Sequence, residues 1–317
     1  MTRRSPALVS LLVLFAVVGC DESTCEVACD AGVASDSGGG AVDAALVDAG
    51  AGVLCGAACD AVIVDAAWLA DRLTVTDLTV LDVRSESAFS ASHVPGARWI
   101  DGGALRATVD GVGGQVAPQA DLQAAFRAAG LDRDHAIVVM GDDTGTGSAR
   151  VFWTLEYAGH ARVLFLDGGW SAWMAAGGSV EAGASAADPT EYTIDALDAD
   201  RRVDADWVRD NLADSDVMLV DARTSGEYDG GHVLNAVHVN WTDNVESGAL
   251  RPEAEVLALY PGLDLAATTG VAYCQTGSRA SVAYLVLRWL GVADARLYDG
   301  SWAEWSTLDA GEYLRGP

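Results

Sequence analysis

Short apolar runs alternate along this chain with stretches whose apolar positions recur every three or four residues. The runs are Leu78–Val83, Ile137–Met140 and Arg162–Leu166, then Val217–Asp221, Gly270–Tyr273 and Arg296–Tyr298. Runs this apolar suit strands of a parallel sheet covered on both faces rather than half-exposed strands. Between the last two runs, Ala280–Leu290 places Val282, Leu285, Val286 and Trp289 at helical spacing, which predicts a helix with one apolar face. The class is therefore α/β, with mainly parallel sheets flanked by helices. Ligands of such sheets meet the C-terminal ends of the strands.

The pattern occurs twice. Val64-Asp65-Ala66-Ala67-Trp68-Leu69 matches Val203-Asp204-Ala205-Asp206-Trp207-Val208, Leu81-Asp82-Val83-Arg84 matches Val220-Asp221-Ala222-Arg223, and His93-Val94 matches His232-Val233, all 139 residues apart. Further on, Tyr157-Ala158-Gly159 faces Trp289-Leu290-Gly291, and Asp167-Gly168-Gly169-Trp170 faces Asp299-Gly300-Ser301-Trp302, now 132 residues apart. Two constant offsets predict two homologous domains, 61–180 and 200–317, joined by a linker at 181–199; the second copy lacks seven residues present in the first.

The segment before the repeats has a different character. Arg3 and Arg4 precede a mostly apolar run, Ala7–Val18, which is too short to span a bilayer. The run ends in Val17-Val18-Gly19-Cys20, which resembles the lipobox of bacterial lipoprotein precursors. The resemblance implies a signal peptide at 1–19, diacylation of Cys20, and an exported chain anchored to the inner or outer membrane, facing the periplasm or the cell exterior. Residues 20–60 are rich in Gly, Ala, Ser and Asp, with Ser37-Gly38-Gly39-Gly40 at their centre, and read as a tether. Cys25, Cys29, Cys55 and Cys59 lie in it as two pairs spaced i,i+4, without a nearby His. That is a poor metal signature, so no metal site is expected, and disulfides of undetermined pairing suit an exported segment.

Charge narrows the partners. All 19 basic residues are Arg against 46 Asp and Glu, a net charge of −27. A chain this acidic repels phosphate backbones and has no basic cluster, which excludes nucleic acid.

One loop carries candidate chemistry. In Val271-Ala272-Tyr273-Cys274-Gln275-Thr276-Gly277-Ser278-Arg279-Ala280-Ser281 a cysteine ends a strand and a helix follows a tight turn. Converging loop amides and Arg279 favour an anion there, including a thiolate. Gly277 permits the curvature, and Gln275, Thr276, Ser278 and Ala280 complete the loop.

Three segments are similar to signatures of the tandem rhodanese-like sulfurtransferases: Phe89–Ala97, Tyr273–Arg279 and Ala295–Trp305. The resemblance runs from Ile63 to Trp305. It implies that Cys274 attacks the outer sulfur of a small anionic donor such as thiosulfate, or of 3-mercaptopyruvate, and becomes a persulfide. A thiol, or cyanide in an assay, then takes the sulfur, without a metal or organic cofactor. It also implies a silent first copy that walls the cleft. Counting back from Gly159 without a gap sets Asp142 opposite Cys274; one gap sets Gly141 there. The loop Gly141-Asp142-Asp143-Thr144-Gly145 is acidic and would repel an anion. His93 is a possible cleft residue, against a structural role in its own motif.

Departures accompany the resemblance. Basic residues follow the cysteine in many thiosulfate-specialised members, where this chain has Gln275 and Thr276. Where the family has an Arg four residues beyond Arg223, this chain has Glu227, which would repel an anionic donor, face solvent, or hold Arg279. Asn235 stands where Gly is expected. Two other readings remain: a sulfur-binding or carrier lipoprotein, and a phosphatase, for which the four residues between Cys274 and Arg279 make a loop one residue short.

Overall fold

The computed structural model describes residues 61–184, 188–308 and 315–316. The signal segment, the tether and Cys20, Cys25, Cys29, Cys55 and Cys59 lie outside the described residues. Each copy is a five-stranded, all-parallel sheet. In the first copy the spatial order is Ile63–Val64, Val163–Leu166, Ala136–Met140, Leu78–Asp82, Arg98–Trp99. In the second it is Arg202–Val203, Asp294–Tyr298, Thr269–Tyr273, Val217–Asp221, Val237–His238, the same order strand for strand.

The repeated sequence pairs have local causes. Asp65 and Asp204 cap the first helix of each copy, accepting from Trp68 N at 2.7 Å and Trp207 N at 2.8 Å. Asp82 and Asp221 are fully buried at strand ends and hold Arg84 and Arg223 in ion pairs of 2.7 and 2.6 Å. Each of these arginines then donates to a carbonyl just before the next segment, Ser92 at 2.7 Å and Gly231 at 2.8 Å. A buried cation that reaches both a carboxylate and a carbonyl repays its desolvation and fixes the chain's path.

His93 belongs to this framework. Its Nδ1 donates to Phe89 O at 2.8 Å, its ring stacks on Phe89 at 3.9 Å, and its Nε2 is 3.3 Å from Glu181. His232 repeats the arrangement on Tyr228. These partners of His93 lie in the first copy or just beyond it, so the structure gives it the structural role in its own motif.

The helices Thr146–Tyr157 and Ala280–Trp289, equivalent in the repeat, pack against each other between the two sheets. Their buried residues, with inner-face residues of both sheets, form one apolar core. Each sheet covers its other face with a smaller core of its own. At the contact Glu156 accepts from Tyr284 Oη at 2.6 Å and pairs with Arg288 at 3.0 Å.

Hairpins exchange across the same interface. In the first copy Arg106–Val109 pairs with Val112–Val116; in the second Val245–Glu246 pairs with Ala249–Leu250. Each hairpin bonds the other copy's Asp-Gly aspartate: Val116 N donates to Asp299 at 2.7 Å, and Leu250 N to Asp167 at 2.9 Å. The second hairpin also closes the first copy's loop, since Thr144 N donates to Gly248 O at 2.7 Å.

Candidate active site

Cys274 follows the central strand of the second sheet and is 1 % exposed. It is the free cysteine among the described residues. In the first copy the equivalent central strand ends at Met140, which pairs with Asp82 as Tyr273 pairs with Asp221. Gly141 is therefore the counterpart of Cys274, and the ungapped count to Asp142 is corrected by one residue. Backbone bonds agree: Trp170 N donates to Gly141 O as Trp302 N donates to Cys274 O.

The loop is built around a hydroxyl that sequence reasoning missed. Ser301 Oγ accepts from Cys274 N at 3.2 Å and Gly277 N at 3.1 Å, and donates to Tyr298 O at 2.8 Å. To reach there Ser301 adopts φ +53°, a left-handed conformation disfavoured for a residue with a Cβ. Its counterpart Gly169, at φ +51°, has no room: a Cβ there would lie 2.5 Å from Gly141 O. The Gly-to-Ser change between the copies, read against the repeat, was the available signal. The amides of Gln275, Thr276, Ser278 and Arg279 make no hydrogen bond to any described residue.

Gly277, at φ +82°, is required for space as well as curvature. A Cβ there would lie 2.6 Å from Arg150 Nη1 and 2.7 Å from Asp299 Oδ1. Those two groups form a buried ion pair at 2.7 Å beneath the loop, Arg150 from the first copy and Asp299 from the second. The first copy also reaches the loop through Gly114, packed on Thr276, and through Arg106, whose Nη1 donates to Ser278 Oγ at 2.8 Å. Gln275 and Thr276 are half-buried, and Ala280 is buried where the helix begins.

Arg279 does not offer an unpaired fork. Its Nη1 and Nη2 donate to the two carboxylate oxygens of Glu227 at 2.7 and 2.8 Å. These bonds are the first cause that holds the guanidinium charged; the charge of Cys274 and a hydrogen bond with it act in the same direction. Glu227 thus neither repels from an open position nor faces away. It also caps its own helix, accepting from Thr224 N and Oγ1. The Arg279 hydrogen bonds, against some desolvation and with help from Thr224, bring its carboxyl down to about 2. Because the folded value lies below the unfolded one, the pair's contribution to stability is complete above the ordinary carboxylate range and is lost as pH falls through about 2. Activity changes between pH 5 and 8 therefore come from other groups.

Glu227→Gln keeps an acceptor on Arg279 but removes the charge. Binding of an anionic donor should tighten, with KM falling roughly 3- to 10-fold and kcat changing less. Steady-state kinetics on thiosulfate check this; a raised KM would mean that Glu227 serves the donor in another way. Glu227→Arg would instead set two guanidinium groups together and remove the cap.

A family model described as Rhodanese-like domain matches residues 65–176 and 204–308. A thiosulfate sulfurtransferase of Corynebacterium glutamicum is 33 % identical over 273 residues, covering 78 % of this chain and 88 % of that protein. A probable 3-mercaptopyruvate sulfurtransferase of Pseudomonas aeruginosa is 32 % identical over 270 residues, covering 77 % and 95 %. The crystal structure of SseA from Escherichia coli, described among 3-mercaptopyruvate sulfotransferases, superposes with a TM-score of 0.68 at 25 % identity, over 76 % of this chain and 99 % of that one.

Proposed function

The chain belongs to the rhodanese-like family and is a sulfurtransferase, and from that premise we propose that Cys274 carries the transferred sulfur as a persulfide, with thiosulfate as donor and a thiol as acceptor. The observation that carries this reading is the placement of a buried cysteine at the end of the central strand, in a loop where the amides of Gln275, Thr276, Ser278 and Arg279 make no hydrogen bond to any described residue.

The Cys274 thiolate attacks the outer sulfur of thiosulfate. The S–S bond of the donor breaks, its electron pair leaves with sulfite, and the sulfur stays on Cys274 as a persulfide anion. The amides of Gln275, Thr276, Ser278 and Arg279 solvate that anion, while Ser301 holds the loop open from behind. An acceptor thiolate then attacks the terminal sulfur and the Cys274 thiolate leaves. Neither step needs a metal or an organic cofactor. Thiosulfate is preferred over 3-mercaptopyruvate because it is small and asks for no pocket for a pyruvate carboxylate, and Gly114 packs closely on Thr276 of the loop. The lipobox-like Cys20 supports a chain that works at a membrane outside the cytoplasm, attached by the two acyl chains of one diacylglycerol.

The test is intact-mass and peptide analysis of the protein mixed with thiosulfate, 3-mercaptopyruvate or an aryl phosphate. One sulfur should appear on the Cys274 peptide with thiosulfate and disappear on adding cyanide or a thiol. Loading without turnover would favour a carrier, and phosphate release would favour a phosphatase.

A further inference from the structure

The cations around the loop are nearly all neutralised. Arg84 is paired with Asp82, Arg223 with Asp221, Arg150 with Asp299, and Arg279 with Glu227. A dianionic donor that enters this site, in a chain of net charge −27, still needs a cation to meet it. Arg106 fits that need. It stands on the first copy's hairpin, half-buried, and has no carboxylate within ion-pair distance among the described residues. Of its five N–H donors one is used, on Ser278 Oγ at 2.8 Å, which sets the guanidinium on the rim of the Cys274 loop.

The same side chain borders an open cleft of about 510 Å³, which Trp99, Gly102 and Gly103 also line. Glu86 and Asp101 line it too, and neither lies within ion-pair distance of Arg106. Electrostatics link Arg106 to the reacting atom. Burial and then Arg150 draw its pKa down, while Asp299 and the Cys274 charge pull the other way, so Cys274 and Arg106 lie within each other's field.

We propose that Arg106 is the residue that recognises the anionic end of the sulfur donor, so that the active site is composite: the second copy supplies the nucleophile and the cysteine-less first copy supplies the cation. This rests on the sulfur-transfer reading above. The fork would take two sulfonate oxygens of thiosulfate while the outer sulfur faces Cys274, and the same contacts strengthen as charge moves onto departing sulfite. The bonding changes are those already given; Arg106 exchanges no proton.

The experiment compares alkylation of Cys274 by iodoacetate, an anion, and iodoacetamide, its neutral analogue, read on the Cys274 peptide of the full chain. In Arg106→Gln the iodoacetate-to-iodoacetamide rate ratio should fall roughly 5- to 20-fold, and KM for thiosulfate should rise at least about 10-fold with a smaller change in kcat. Equal loss of both alkylation rates in Arg106→Gln would show that Arg106 only props the loop and would overturn the proposal. If Arg106→Gln does not fold, Arg106→Lys decides: it should keep the preference for iodoacetate while raising the thiosulfate KM, because a point charge replaces the fork; an unchanged KM overturns the proposal. Failure of the unmodified protein to load sulfur from thiosulfate would sink the donor reading instead, and the alkylation ratio would still test Arg106.

Discussion

Cys274→Ser should abolish sulfur transfer and leave the fold in place. The side chain is 1 % exposed and its backbone is fixed by Ser301 and Trp302, so an isosteric replacement meets the same walls. The stability change should stay within about 1 to 2 kcal/mol, the scale for introducing a buried hydroxyl of the same shape. Activity is a different matter. A hydroxyl at neutral pH is scarcely ionised, and an oxygen bound to sulfur is no substitute for a persulfide that a thiol can open. The fall in kcat/KM should be roughly 10⁴-fold or more, as for removal of a nucleophile that acts as one unit with its surroundings. Mass analysis should detect no sulfur adduct on the variant with any donor. Turnover that survives the change, or an adduct at another cysteine, would remove Cys274 from the reaction.

Much of this arrangement is local, and local features are what a sequence carries. The strands at Leu78–Asp82, Ala136–Met140, Val217–Asp221 and Thr269–Tyr273 are read from apolar runs because both faces of each sheet are covered. The helix Ala280–Trp289 is read from its spacing, and the loop from a cysteine at a strand end. What stays hidden is what segments far apart in the chain do to each other. Arg150 meets Asp299, Arg106 meets Ser278 and Glu227 meets Arg279 over long separations in the chain, and no period or spacing encodes such pairs. Glu227 looked like a repulsive intruder because its partner lies 52 residues away. The step from Asp142 to Gly141 was hidden for another reason: the second copy is shorter, and only the strand register says where the gap falls. Ser301 was visible as a difference from Gly169, but its meaning depends on a left-handed backbone and on the two amides it accepts from.

The largest stability effect should come from Asp299→Ala, and it should take activity with it. Asp299 is fully buried. One oxygen accepts from Val116 N at 2.7 Å, the other pairs with Arg150 Nη2 at 2.7 Å, and Arg202 lies 3.9 Å away. Arg150 is itself 1 % exposed, and its Nε and Nη1 have no hydrogen-bond partner. Once the carboxylate is gone, its polar contacts reduce to one bond to Gly114 O at 3.3 Å and the face of Trp153. Leaving a buried cation uncompensated costs about 3 to 5 kcal/mol, and an unbonded Val116 amide adds to that. The active loop rests on the same pair at Gly277, so kcat/KM should fall roughly 10- to 100-fold even in folded protein, since displacing a positioned loop by a fraction of an ångström is enough. Asp167→Ala is the internal control. Asp167 is the equivalent residue in the first copy, is only partly buried, and accepts from Leu250 N and Thr144 Oγ1, with no arginine in ion-pair range of it among the described residues. Its loss should cost about 1 to 2 kcal/mol and leave sulfur transfer nearly unchanged. Adding Arg150→Met to Asp299→Ala removes the stranded charge and should recover most of the stability without recovering activity, a coupling that a double-mutant cycle of denaturant unfolding measures directly. An Asp299→Ala protein as stable as the unmodified one, or an Asp167→Ala protein equally impaired in sulfur transfer, would mean that the buried pair does not seat the active loop.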